Sequence, residues 1–122
     1  MPDRAWTSWL LTRGPVRAVD VRRAGPGSVV VALRGPVGEK DGQRAARALA
    51  HVLATGPREA HIDLAHARSM PPSSVAALFL PLTVMARAHG VALTVHRADP
   101  GTRAALRGLG LDRALDYSDE AP

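Results

Sequence analysis

Asp63, His66 and Ser73 bring an acid, an imidazole and a hydroxyl into one short stretch, the residue types of a hydrolytic triad. That chemistry also needs a sharply turned nucleophile and oxyanion donors, and the chain has no G-x-S-x-G elbow. A strand-end carboxylate, a loop histidine and a helix cap account for the same residues without catalysis. His61, Asp63 and His66 can likewise be drawn as metal ligands. Their spacing matches no zinc signature, and surface histidines beside a strand explain it. Nucleotide chemistry has no foothold either, because both phosphate-cradling glycine motifs are missing and Gly108-Leu109-Gly110 closes a helix instead of opening one. Without cysteine there is no disulfide or thiolate chemistry. The residues therefore point away from an enzyme, a metal or a cofactor. What remains is SMPPSSVAAL, residues 69–78, where two prolines and two serines precede an apolar helix. Pro71 and Pro72 make a stiff entrance, with Ser73 or Ser74 left to cap it.

The elements that carry these residues follow from hydrophobic periodicity. Residues 16–22 alternate as a half-buried strand, Gly25-Pro26-Gly27 breaks it, and residues 28–34 follow as a more buried strand, which makes a hairpin. Asp41 can cap a helix with Ala45, Ala46, Leu49, Val52 and Leu53 on one face, ending at Gly56. Residues 59–64 form a strand with Asp63 near its end, and a second helix covers 73–88. A strand at 91–96 and a helix at 102–109 complete the order β-β-α-β-α-β-α. That order predicts one α/β domain with a mixed, mainly parallel sheet of about four strands and helices packed against it. An N-terminal arm, 1–15, precedes the domain at 16–116, and an acidic tail, 117–122, reads as frayed.

Composition narrows the partners. A chain of 122 residues with 46% apolar and 22% charged residues suits one globular domain, and with 3% aromatics its core must rest on aliphatic side chains. The net charge of +5 comes from arginines scattered from Arg4 to Arg113, without the stripe or stacking aromatics of a nucleic-acid site. We read it as a solvated basic surface. No apolar run approaches the roughly 20 residues of a membrane span, and the first residues lack the pattern of a signal peptide, so a cytoplasmic protein without membrane insertion is expected.

In register, these stretches resemble the STAS domain, the fold of the bacterial anti-sigma factor antagonists. VVVALRGPVG (29–38) corresponds to the family's second strand and G-E-L-D turn, and HIDL (61–64) to its third strand. VALTVHRADPGTRAALRGLGLDRAL (91–115) corresponds to the later strand, turn and helix ending in G-L-D. The family's D-S-S-G begins eight residues after the strand-end acid, and eight residues after Asp63 stands Pro71. The resemblance thus puts the motif on Pro71, Pro72, Ser73 and Ser74, with the phosphoacceptor position on Pro72 and the turn's acid on Gly38. Proline has no hydroxyl, so the resemblance implies a switch position without its acceptor. A one-residue slip would make Ser73 the acceptor, at the cost of shifting the helix's buried face.

The resemblance implies a protein-binding regulator whose partner is an anti-sigma factor kinase or a related protein. Contact is expected through Gly38, Asp63, Pro71, Pro72, Ser73, Ser74, Ala77 and Leu78. The second helix also motivates a scaffold role, by homodimer formation or by docking in a larger complex such as a transporter assembly. It carries one apolar stripe through Val75, Leu78, Phe79, Leu82, Met85 and Ala86, and another through Ala77, Leu80, Val84 and Ala88. Either a partner covers the second stripe or the arm, with Trp6, Trp9, Leu10 and Leu11, folds over it. Pro81 predicts a kink or a later start in this helix.

Overall fold

The computed structural model describes residues 19–68 and 70–122. The arm with Trp6, Trp9, Leu10 and Leu11, and the first residues of the expected 16–22 strand, lie outside them. Strand β1 (Val19–Gly25) turns through Pro26-Gly27 into β2 (Ser28–Pro36), and Gly27 takes a positive φ of 74° that a side chain would resist. Helix α1 (Glu39–Ala54), β3 (Glu59–Arg68), α2 (Pro72–His89), β4 (Ala92–His96) and α3 (Pro100–Gly108) follow, then β5 (Asp116–Ser118). The strands lie in chain order, β1 antiparallel to β2 and the rest parallel.

That order fixes the layering. Right-handed crossovers that always advance in the same direction deliver every helix to one face of the sheet. Val31, Leu33, Ile62, Leu64 and Val95 point to that face and pack with Leu49, Leu53, Leu78 and Phe79 in a single core. Each such side chain contributes about 1.5–3 kcal/mol on burial. The strand residues between them, His61, Asp63, Thr94 and His96, take the opposite face by alternation.

Three local expectations change. Asp41 is not the cap of α1. Gly38 is, in extended conformation, and Asp41 reaches back from the third helical position to accept the Gly38 N–H at 3.1 Å. Pro81 neither delays nor divides α2, which starts at Pro72 and runs through it; Pro81 is exposed, so the freed Ala77 carbonyl can turn toward water. The third change is at the C-terminus. DYSDEAP was expected to fray, yet Thr94, Val95 and His96 pair with Asp116, Tyr117 and Ser118 as a fifth strand. Tyr117 anchors it, donating to Asp112 Oδ1 at 2.8 Å beneath the Arg103 guanidinium, 4.5 Å from the ring centroid. Burial and this acidic acceptor push the phenol up to about 12. Among the described residues, no helix is long and apolar enough to cross a membrane.

Candidate functional site

The entrance of α2 is built from the carboxyl ends of β2 and β3. Strand β4 pairs with β3 only as far as Asp63, whereas β2 follows it to Arg68. At the point of departure the register slips: Ala32 faces Asp63, but Arg34 faces His66, so β3 carries one additional residue. Such a bulge strands a backbone amide. Asp63 meets that need, because its Oδ1 accepts the Ala65 N–H at 3.1 Å.

The same carboxylate is held from β4's end by Arg97, with Nη2 to Oδ2 at 2.6 Å and Nε to Oδ1 at 3.2 Å. Arg97 adopts φ 57°, left-handed for a residue with a β-carbon, at a cost of about 1–2 kcal/mol. Its own N–H donates to the Ser118 carbonyl, which ties the β4 exit to β5. Asp63 is 8% exposed. Burial alone would raise its carboxyl, but the Arg97 hydrogen bond, the Ala65 N–H and the Arg97 charge together hold it below the usual carboxylate range. Both Asp63 oxygens are thus engaged within the fold, by the Ala65 N–H and the Arg97 guanidinium.

Beside this pair runs a polar chain across the sheet. His96 Nδ1 lies 2.8 Å from the Glu120 carbonyl, which can only accept, and His96 Nε2 lies 2.8 Å from His61 Nδ1. His61 Nε2 in turn lies 3.1 Å from Glu59 Oε1, and the hydrogen bond from His61 is the main reason the Glu59 carboxyl sits below its ordinary value. His61 is thus turned toward Glu59 and His96, away from a site shared with Asp63 and His66. No group of three or more His, Asp and Glu side chains suited to a metal forms among the described residues. His66 is exposed, and no hydrogen bond joins it to Asp63 or Ser73, so the triad residues are not assembled.

At the helix entrance Val37 N–H donates to the Arg68 carbonyl at 3.3 Å, holding the β2 exit against the end of β3. Pro71 is the N-cap, kept extended by the ring of Pro72, and its carbonyl accepts the N–H groups of Ser74 and Val75 at 2.9 and 3.1 Å. Neither serine caps the helix. Ser73 is exposed, and Ser74 is fully buried with a hydroxyl that has no hydrogen-bond partner among the described residues. Gly42 of α1 explains the burial: a β-carbon there would sit 2.9 Å from the Ser74 carbonyl oxygen and 3.3 Å from the Ala77 side chain. Glycine lets the start of α1 lie directly against the start of α2.

The expected contact residues therefore divide. Pro71, Pro72 and Ser73 are exposed, while Gly38 and Ala77 are half-buried. Ser74 and Leu78 have 0% exposure and lie beneath that surface. Arg97, His96 and Gly42 were not singled out from the sequence. A basic residue directly after the strand that pairs with an acid-ended neighbour was the available signal for Arg97.

In structure, the chain is similar to the anti-sigma factor antagonist SpoIIAA in its unphosphorylated form, with a TM-score of 0.65 and 14% identity over 84% of this chain and 90% of that one. The Bacillus cell fate determinant SpoIIAA in its phosphorylated form gives a TM-score of 0.63, also at 14% identity, over 84% and 93%. No protein-family model and no curated protein sequence matches the chain. Likeness at this identity speaks for architecture and not for chemistry. The chain therefore has the STAS fold of these SpoIIAA structures, a single α/β domain with a mixed, mostly parallel sheet.

Proposed function

We propose that this chain is a non-enzymatic, cytoplasmic regulator of the anti-sigma factor antagonist kind. It binds an anti-sigma factor kinase or related protein through Gly38, Pro71, Pro72, Ser73 and Ala77, with Asp63, Ser74 and Leu78 shaping that surface from within. The carrying observation is the exposed, proline-stiffened entrance of α2 on a SpoIIAA-like fold. SpoIIAA has been solved in unphosphorylated and phosphorylated forms. Phosphate adds about two negative charges, enough to reorganise an interface at a helix start. Here the acceptor position carries Pro72, so binding proceeds without that control. Binding to a kinase-type anti-sigma factor, measured calorimetrically, is expected for the native chain and lost in Ser73→Trp, a change at an exposed position. Incubation of the pair with Mg-ATP is expected to leave the chain's mass unchanged. Stoichiometric phosphate on Ser73 would restore the switch and overturn half of the reading; absence of binding would overturn the other half.

A further inference from the structure

The far end of α2 carries a second surface. Leu80 and Val84, 41% and 67% exposed, are the large hydrophobic side chains left exposed among the described residues. They edge a groove of about 880 Å³ between α2 and the turn at 110–114, with Met85 and Leu111 beneath. The two cations in its lining are Arg87 and Arg113, and no carboxylate lines it. Four other arginines, Arg34, Arg97, Arg103 and Arg107, pair with aspartates, whereas Arg87 and Arg113 form no ion pair among the described residues. The nearest acid in sequence, Asp112, is taken by Tyr117 and Arg107.

We propose that this groove docks an acidic amphipathic helix of a partner protein. Aliphatic side chains at i, i+4 and i+7 of such a helix would cover Leu80 and Val84, and its acidic flanks would meet Arg87 and Arg113. A second copy of this chain fits less well, because two-fold pairing would set these arginines against their own counterparts without supplying a carboxylate. The surface is distinct from the α2 entrance: Val84 lies about 18 Å along the helix from Pro72. The chain would then hold two partners, or two parts of one, along a single helix.

The test titrates the full chain with an 18-residue capped peptide having leucines at i, i+4 and i+7 and glutamates elsewhere, and with its lysine counterpart, following amide shifts by NMR. Shifts confined to residues 80–91 and 110–114, with a preference of at least tenfold for the glutamate peptide, are expected. Val84→Glu should weaken that binding at least tenfold, and Arg87→Glu with Arg113→Glu should reverse the preference. Ser73→Trp should leave it unchanged, which keeps this groove's outcome separate from that of the entrance. Equal affinity for both peptides, no binding of the glutamate peptide, shifts mapping elsewhere, or self-association of the free chain that Val84→Glu abolishes would each overturn the proposal.

Discussion

Asp63 shows how one side chain can serve three backbones, since it satisfies the β3 bulge, restrains Arg97 and thereby steadies the β4 exit next to β5. Asp63→Asn keeps the shape but removes the charge, and we expect a loss of about 1–2 kcal/mol, discounted because the Arg97 side chain is 37% exposed and can rehydrate. The sign of the pH dependence follows from the depressed carboxyl. Its contribution is fully present above the unfolded value of about 3.9 and fades as pH falls through the lower folded value. Urea midpoints taken from pH 7 to pH 3 should therefore converge for the native chain and Asp63→Asn at the acid end. Ser74 works in the opposite sense. Its buried hydroxyl has no partner among the described residues, so Ser74→Ala should stabilise the fold by about 1 kcal/mol, seen as a higher thermal midpoint. Asp63 was legible in the sequence as a strand-end acid. Its partner was not, because Arg97 lies 34 residues away and is delivered by parallel register that only the sheet reveals. The buried state of Ser74 was hidden for a similar reason: it depends on Gly42, a residue on another helix.

Among the elements, α1 and α2 approach closely at the surface proposed for partner binding. Gly42→Ala would drive a methyl group toward the Ser74 carbonyl oxygen, and backbone cannot swing aside as a side chain can. Overpacking of this kind costs about 1–3 kcal/mol, and alanine's better helix propensity offsets about 1. A net loss of about 1 kcal/mol in urea unfolding is expected, with amide shifts concentrated at residues 72–78. An unchanged stability would show that α2 can slide away freely. Elements with long periodic patterns were readable: α1, β3 and α2 stand within a few residues of their predicted positions. Strand β5 was not, since three residues are too few for alternation to register, and its evidence lies in Tyr117 finding Asp112 and Arg103. The α2 start was readable from Pro71 and Pro72, but its cap was misassigned because both serines looked better suited to it than a proline.

For the whole molecule, alternating strands and helices predicted the mainly parallel sheet, but not which strand would lie beside which. The observed order follows the chain from β1 to β5. Strand β3 is paired along both edges, and β5 along one edge through three residues. Native-state hydrogen exchange should accordingly give β3 amides the protection of global unfolding, while β5 amides exchange through local opening. Equal protection in the two strands would mean that the C-terminal edge opens only with the core. Spatial order that matches chain order also bears on how the protein is made. A chain emerging from the ribosome N-terminus first can lay each new strand on the edge completed just before it, without waiting for a distant segment to be inserted between two others. The growing edge is always the newest strand, and β5 is laid on β4 in its turn.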